Sequence, residues 1–171
     1  MSKKTLYLIG IGAAIAICIV MVINVYDMKR QPDLTPTPAA ATAAPKAEKV
    51  TAAMVANMID GVLKDNFPYS YQTRLNEEQK LFNVDIWSDE INADSVQRTK
   101  ESGDFTAWNN MVRDILSTTV TMQDAFNNNG HSDIVVVVSL CDPGNRDLTF
   151  LTIADGVAGY DVVNDIDLLN K

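Results

Sequence analysis

Apolar residues form one uninterrupted run near the N-terminus of the chain. The 20 residues from Leu6 to Val25 include no charge, and their one strongly polar member is Asn24. An α-helix rises about 1.5 Å per residue, so a helix of this length spans roughly 30 Å, the thickness of the hydrocarbon core of a bilayer. Tyr7 and Tyr26 lie at its ends, where interfacial aromatic residues usually occur. The pattern predicts a transmembrane helix.

Two processing alternatives compete with a retained anchor. A cleavable signal peptide has an apolar region of about 7–15 residues and a cleavage site between small residues. This run is longer, and Asn24-Val25-Tyr26 offers no such site, although the Ala-rich stretch further along leaves one open. Ile17 precedes Cys18, where a bacterial lipobox needs a small residue. We therefore interpret residues 1–26 as a short tail and a retained signal anchor.

Basic residues flank the apolar run on both sides, with Lys3 and Lys4 before it and Lys29 and Arg30 after it. Together with the terminal amine, they favour an inside N-terminus by a small margin. The expected location is the cytoplasmic membrane, crossed once through residues 6–25, with the C-terminal part outside. Small residues recur four positions apart within Gly10–Ala16, a spacing that permits weak self-association of membrane helices.

Residues 27–49 have a different character, with four prolines among Thr and Ala and no apolar periodicity. Proline blocks regular hydrogen-bonded structure, so this stretch is predicted to be a semi-extended linker. At about 3.1 Å per residue its full extension is roughly 70 Å. Such a linker would hold the remainder of the chain away from the lipid surface.

Residues 50–171 have the apolar periodicities of a folded domain. The helix that starts this domain has Thr51 as its cap, and Asp104 is the expected cap of the longest helix. Gly103 and the turn sequence Asp142-Pro143-Gly144-Asn145 mark element ends. The predicted elements are a helix over 51–66, strands over 69–75 and 80–88, a weakly helical segment over 92–102, a helix over 105–127, and strands over 134–138, 148–154 and 159–163.

The β-branched run Ile134–Val138 is typical of an inner strand that is buried on both faces. In the strand over 80–88, Phe82, Val84 and Ile86 alternate with polar residues, which indicates one covered face; Trp87 lies on the opposite face. The predicted architecture is an α+β domain of order α-β-β-α-β-β-β, with helices packed on one face of a mainly antiparallel sheet.

The net charge of the chain limits the kinds of partner that it can bind. The whole chain carries −8, and residues 50–171 carry −11, from eight basic and nineteen acidic residues. A negative surface repels anionic lipid and nucleic acid, because phosphate binding needs clustered Lys and Arg. The balance therefore argues against nucleic acid as a partner and favours solubility or a cationic partner, and a charge excess of this kind is usually only a solvated surface.

Few residues offer metal or nucleophilic chemistry. One histidine and two cysteines exclude a multi-histidine metal centre, a four-cysteine zinc site and a disulfide scaffold. His131 is next to Ser132 and Asp133, but a catalytic triad needs groups that converge from distant positions, so we expect an exposed loop histidine. Cys18 lies in the membrane run and cannot pair with Cys141, which we interpret as a small apolar core residue.

Acidic residues form three groups whose oxygens are of the kind that bind calcium or take part in acid–base catalysis. The groups are Asp161, Asn164, Asp165 and Asp167; Asp142, Asn145 and Asp147; and Asp85, Asp89 and Glu90 around Trp87. The first two have oxygen ligands of the kind calcium binds, but neither matches an EF-hand loop, and turn formation explains the second. The third would suit glycoside hydrolysis only if two carboxyl groups faced each other across a cleft. We assign no catalytic, cofactor-binding or metal-ligating residue, and we expect Trp87 and Trp108 to be packing residues.

Four segments within Phe105–Leu169 carry a resemblance: Trp108–Val112, Asp133–Val138, Leu151–Gly156 and Gly159–Asn164. With these segments the last 120 or so residues resemble the uncharacterised, membrane-tethered extracytoplasmic α+β domains of Gram-positive gut bacteria (Firmicutes type). The function of those domains is unknown, so the resemblance implies a tethered domain outside the membrane and no catalytic residue.

These observations favour a membrane-anchored binding or scaffolding module whose partner is an unknown protein outside the membrane. The alternative is a cell-envelope hydrolase that uses acidic residues, with Asp85, Glu90 and His131 as the residues to substitute. A third interpretation is a secreted domain released by cleavage, which N-terminal sequencing of the mature protein would reveal.

The anchor is tested by fractionation of cells that produce the full-length chain. We expect the polypeptide in the membrane fraction, because about 20 uncharged apolar residues hold a helix in the bilayer. Detergent, but not high salt, should release it. Full-length polypeptide in the cytosolic fraction would contradict the anchor.

Overall fold

The computed structural model describes residues 49–169 of the chain. The predicted transmembrane helix at Leu6–Val25 and nearly all of the linker lie outside these residues. Within residues 49–169, no helix is both long enough and apolar enough to cross a membrane. The elements are α1 (Ala52–Asn66), β1 (Ser70–Asn76), β2 (Leu81–Trp87), α2 (Ala93–Ser102), α3 (Thr106–Asn128), β3 (Val135–Cys141), β4 (Thr149–Ala154), β5 (Val157–Asp161) and β6 (Ile166–Asp167).

The six strands form one mixed sheet in the order β1-β2-β3-β4-β5-β6. All neighbouring strands are antiparallel except β2 and β3, which run parallel with Leu81 opposite Val135 and Ile86 opposite Leu140. The predicted α+β class is confirmed. The sheet is mainly antiparallel, as predicted, and its one parallel pair arises because α2 and α3 together carry the chain back across the sheet between β2 and β3. The weakly helical segment is thus a full helix, and the chain adds the two-residue strand β6.

The core lies between α1, α3 and one face of the sheet. On β2 the buried residues are Phe82, Val84 and Ile86, so the alternation in the sequence indicated the covered face correctly. The Phe82 ring packs against Phe126 of α3 at 5.3 Å between centroids. Removal of this apolar surface from water is the main stabilising contribution to such a two-layer arrangement.

The prediction that β3 is buried on both faces is wrong in one respect. β3 is an inner strand between β2 and β4, and Val136, Val138 and Leu140 are buried. Val135 and Val137 are half-exposed, because they point away from the face that the helices cover. A β-branched run therefore identified the inner strand but not how many of its faces were covered.

Helix ends follow local hydrogen bonding. Thr51 is the N-cap of α1, and its hydroxyl accepts a hydrogen bond from Met54 N at 3.2 Å, as predicted. Gly103 ends α2 at φ +70°, a conformation that glycine adopts without steric cost. Asp104 is not the N-cap of α3, which is Phe105. The Asp104 carboxylate lies one residue earlier and accepts from Thr106 N at 3.1 Å, so it still satisfies one free helix N–H.

Gln123 of α3 ties this helix to the start of β3. Its Nε2 donates to Ile134 O at 2.7 Å, and its Oε1 accepts from Val136 N at 2.9 Å. The pairing of β4 with β3 begins only at Val137, so the amide of Gln123 completes the ladder where a strand is missing. A buried amide in this position satisfies two backbone groups that would otherwise lack a partner.

Gln123→Met should therefore lower the free energy of unfolding by roughly 2–4 kcal/mol, because two buried backbone groups lose their hydrogen bonds while the side-chain volume changes little. The measurement is urea unfolding of the full chain in detergent. Gln97→Met, at an exposed position of α2, is the control and should change the value by less than about 0.5 kcal/mol. Equal destabilisation by the two variants would contradict the role of Gln123.

Candidate functional site

A cavity of about 650 Å³ opens beside the end of β2. It lies between α2, the first turns of α3 and the start of β1. Volumes of this size are typical of small-molecule sites. Its lining residues are Pro68, Tyr69, Ser70, Trp87, Ser88, Asp89, Glu90, Ile91, Ser95, Val96, Thr99, Ala107, Trp108 and Met111.

The segment Ser88–Ile91 forms the acidic rim of this cavity. Ser88 and Ile91 form an antiparallel bridge, and Ile91 N donates to Ser88 O at 3.0 Å. Within the turn, Glu90 N donates to Ser88 Oγ at 3.3 Å, and Asn92 Nδ2 donates to Asp89 O at 3.2 Å. These bonds fix the backbone, so the exposed side chains of Asp89 and Glu90 project from a defined turn.

Helix α2 forms one wall of the cavity, and its N-terminus is fixed by a capping box and by a hydrogen bond to Asp142. Asn92 and Ser95 form a capping box, with Asn92 Oδ1 accepting from Ser95 N at 3.0 Å and Ser95 Oγ accepting from Asn92 N at 2.9 Å. Asp142, in the turn after β3, accepts from Ala93 N at 2.9 Å. The same carboxylate accepts from Gly144 N and Asn145 N, and these three backbone bonds hold the pKa of Asp142 below its usual value.

Trp108 of α3 lines the buried part of the cavity and is held from behind by Asp161. The indole Nε1–H donates to both carboxylate oxygens of Asp161, at 3.0 and 3.2 Å. Asp161 is only 1 % exposed and also accepts from Val163 N, Asn164 N and Asn164 Nδ2. A buried carboxylate is tolerated when its lone pairs are satisfied in this way. The orientation of the Trp108 ring is therefore fixed before any ligand arrives.

Tyr69 contributes a hydroxyl in a negative surrounding. Its ring packs edge-on against Phe67 at 5.3 Å between centroids. Burial of the phenol, followed by the negative charges of Asp114 and Glu90, raises the pKa of Tyr69 to about 12. The phenol therefore stays neutral at physiological pH, and its surroundings disfavour a further negative charge.

Three polar side chains of the cavity donate their protons to acceptors within the protein itself. The Ser95 hydroxyl donates to Asn92 O at 2.9 Å, and the Thr99 hydroxyl donates to Ser95 O at 3.0 Å, so both offer only lone pairs to a ligand. Ionised Asp89 and Glu90 are acceptors only. Trp108 has already donated its one N–H. Among residues 49–169, none of those that line the cavity is Lys, Arg or His.

At the edge of the cavity, the guanidinium group of Arg146 packs on the ring of Trp87. The guanidinium carbon of Arg146 lies 3.2 Å from the centroid of the Trp87 ring, which is a cation–π contact. Arg146 belongs to the loop between β3 and β4, so the contact holds that loop against the sheet. Trp87 and Trp108 are thus packing residues, as predicted, and both also line the cavity.

The three residues considered for catalysis, Asp85, Glu90 and His131, do not lie together in the structure. Glu90 lines the cavity, whereas Asp85 lies on the sheet face opposite the helices and faces Arg74 at 3.8 Å. His131 precedes β3, near the end of the sheet from which β2 starts. Its Nε2 lies 3.1 Å from Val50 O, and the residue is half-buried, which corrects the expectation of an exposed loop histidine.

Asp133, two residues after His131, forms an ion pair with Lys80. Lys80 Nζ lies 3.1 Å from the Asp133 carboxylate and holds the pKa of Asp133 below its usual value. The half-buried His131 ring and this ion pair tie the loop before β3 to the start of α1 and to the β1–β2 turn. The arrangement is structural and contains no assembled triad.

The acidic groups considered for calcium serve as turn and cap acceptors. Asp161 and Asp142 accept backbone N–H donors, as described above, which leaves little room for a cation at their oxygens. Asp165 forms an exposed ion pair with Lys100 at 3.0 Å. In the part of the chain that the structure describes, no group of three His, Cys, Asp or Glu residues is arranged to hold a metal ion. Cys141 is buried there, and burial raises the pKa of its thiol.

Sequence reasoning singled out Asp89, Glu90, Trp87 and Trp108 but missed the rest of the cavity. Tyr69, Ser95 and Thr99 are ordinary strand and helix residues in a single sequence, and no spacing rule joins residues at positions 69 and 99. The one available signal was the dense polar segment between residues 88 and 95, which follows directly after a covered strand.

No protein-family model, no curated protein and no solved structure matches this chain. The site therefore has to be interpreted from its own geometry.

The contact of Asp142 with α2 predicts a pH-dependent stability. Because the folded-state pKa of Asp142 is lowered, its carboxylate stabilises the fold above the unfolded-state value of about 4, and this stabilisation is lost as pH falls through the lower folded-state pKa. Asp142→Ala should thus destabilise the protein at pH 7, and the gap to the wild type should shrink below about pH 4.

The measurement is the thermal unfolding midpoint of the wild type and of Asp142→Ala between about pH 2.5 and pH 7. This range brackets the titration of a carboxyl group. Asp147→Ala, an exposed acid in the same loop, is the matched control and should leave the midpoint nearly unchanged. A gap between Asp142→Ala and wild type that stays constant over the whole range would contradict the assignment.

Proposed function

We propose that the protein is a single-pass membrane protein that displays a small ligand-binding domain outside the cytoplasmic membrane. The observation that carries the binding function is the cavity beside β2, whose walls are fixed by hydrogen bonds that do not involve a ligand. A preformed cavity with an apolar interior and a few converging polar groups is the usual form of a ligand site.

The membrane part of the proposal is supported by sequence. The apolar run of residues 6–25 is long enough for one span, and the proline-rich linker would give the domain freedom above the lipid. The resemblance of the last 120 or so residues to tethered extracytoplasmic domains agrees with this placement. The partner would be met outside the membrane, within the roughly 70 Å reach of the linker.

A hydrolase receives less support from the geometry. Asp85 and His131, two of the three residues considered for it, do not line the cavity that Glu90 borders. General acid–base chemistry needs its groups within hydrogen-bond reach of one substrate atom. We therefore propose binding without turnover.

The proposal is tested by site-specific photo-crosslinking in cells that display the full-length chain. A benzophenone side chain is placed at Ala107, which lines the cavity in the first turn of α3. The control is Ala53, an exposed alanine in the first turn of α1 that does not line the cavity. We expect a discrete adduct from position 107 and none from position 53.

No adduct at position 107, or the same adducts from both positions, would overturn the cavity as the binding site. Both positions are exposed and lie in first helical turns, so a difference between them reports location rather than accessibility.

A further inference from the structure

Strand β1 lies at one edge of the sheet, and within residues 49–169 no other strand pairs with its outer side. Its seven residues give an edge of about 24 Å, at roughly 3.4 Å per residue. The strand contains no Pro or Gly, and its pairing with β2 runs from Ser70 to Asn76 without a bulge. The outward N–H and C=O groups of such an edge can pair with a further strand.

The two edges of the sheet differ in this respect. At the other edge, β6 has only two residues, and a very short edge strand resists the addition of a further strand. By contrast, β1 is held in place by α1. Thr73 Oγ1 donates to Asp60 Oδ1 at 2.9 Å, and the Tyr71 hydroxyl donates to Asp60 O at 3.1 Å. The edge of β1 is therefore ordered before any second strand arrives.

The sequence of β1 is self-complementary in one antiparallel register. A two-fold axis normal to the sheet keeps the helices of both copies on the same side, so odd-numbered residues of β1 oppose odd-numbered ones. With Thr73 opposite its own copy, all seven residues pair. A register centred on Gln72 or Arg74 pairs only residues 70–74 or 72–76, and the second of these places two guanidinium groups opposite each other. The pairs of the register centred on Thr73 are Thr73 with Thr73, Tyr71 with Leu75, Gln72 with Arg74, and Ser70 with Asn76.

This register also covers apolar side chains at the edge. Tyr71 and Leu75 are half-exposed on the helix side of β1, and each would lie opposite the other residue in the second copy. Aromatic–aliphatic pairs between neighbouring strands stabilise antiparallel pairing. The seven opposed residues would in addition exchange about six to eight backbone hydrogen bonds. No two charges of the same sign on β1 would face each other.

We propose that β1 pairs with β1 of a second copy in the register centred on Thr73, which joins the two sheets into one continuous sheet. The net charge of −11 over residues 50–171 opposes the approach of two domains, and an interface of one strand is smaller than that of a stable dimer. The pairing is therefore weak between free domains. The predicted anchor compensates, because a shared membrane raises the concentration of one domain around the other. The small residues that recur within Gly10–Ala16 would add weak association of the membrane helices.

The register is tested by disulfide crosslinking in membranes of cells that display the full-length chain. Two differently tagged chains are produced together, one with Gln72→Cys and the other with Arg74→Cys. Both carry Cys18→Ala, and Cys141 is kept because it is buried. Both engineered positions are exposed. We expect the mixed crosslink to form at least about tenfold faster than the self-crosslink of either variant, because residues 72 and 74 oppose each other directly and identical positions are two residues out of register.

The control is Ser117→Cys, at an exposed position of α3, which measures the rate of collisional crosslinking in the membrane. A mixed crosslink that forms no faster than the self-crosslink at position 117 would overturn the proposal. Fastest crosslinking of Gln72→Cys or of Arg74→Cys with itself would also overturn it, because the axis would then lie at another residue. A different occupant of the edge, including a stretch of the linker, would shield both positions and give no excess over position 117.

Charge variants at position 72 separate strand pairing from general electrostatics. Gln72→Glu should raise the dimerisation constant by about threefold or more, since each copy then places a carboxylate opposite Arg74. Gln72→Arg should lower it by about the same factor, because guanidinium groups then oppose each other. The net charge of the chain predicts the reverse order. Asp85, which is opposite Gln72 within one copy, also favours Arg over Glu at this position.

The dimerisation constant is measured by energy transfer between donor-labelled and acceptor-labelled full-length chains in phosphatidylcholine vesicles, at several protein-to-lipid ratios. The labels are attached to Ser117→Cys in the Cys18→Ala chain. The membrane helices are identical in the wild type and the two variants, so any difference among the three reports pairing of the domains. Equal dimerisation of the three chains, or the order that net charge predicts, would contradict the pairing of β1 with its copy.

Discussion

The parallel pairing of β2 with β3 is the constraint on which the cavity depends. Parallel neighbours cannot be joined by a tight turn, so the chain must leave the end of β2 and return to the start of β3 through a crossover. Here the crossover consists of α2 and α3. The chain turns at Ser88–Ile91 and enters α2 directly, and the space between this turn, α2 and α3 is the cavity. The position of the site follows from the topology of the chain, and particular side chains only line it.

Buried polar groups then fix the crossover in place. Asp142 holds the start of α2, Asp161 holds Trp108 of α3, and Gln123 holds the end of α3 to β3. Each uses a side chain to satisfy donors or acceptors that the backbone ladders do not reach. In the described part of the chain, no buried side-chain nitrogen or oxygen lacks a hydrogen-bond partner. Such fully satisfied networks favour a single arrangement of the crossover, because alternatives would leave these groups unpaired.

Local patterns predicted the elements better than their pairing. The alternation of Phe82, Val84 and Ile86 and the cap at Thr51 are short-range signals, and the structure confirms both. The parallel pair and the half-exposed face of β3 depend on which face the helices cover, which no local window contains. For the cavity, the sequence supplied Asp89, Glu90 and the two tryptophans, but Tyr69, Ser95 and Thr99 join them only through the crossover.

The acidic residues that are prominent in the sequence take two different positions in the fold, for one reason. Asp161 and Asp142 are prominent in the acidic groups of the sequence, yet their oxygens are occupied by backbone donors, so they support walls of the cavity rather than contact its contents. Asp89 and Glu90 lie in a turn whose backbone is already hydrogen-bonded, which leaves their side chains at the opening. Whether a carboxylate accepts backbone N–H groups or lies at the opening of the cavity depends on where the N–H donors lie, and that is decided by tertiary structure.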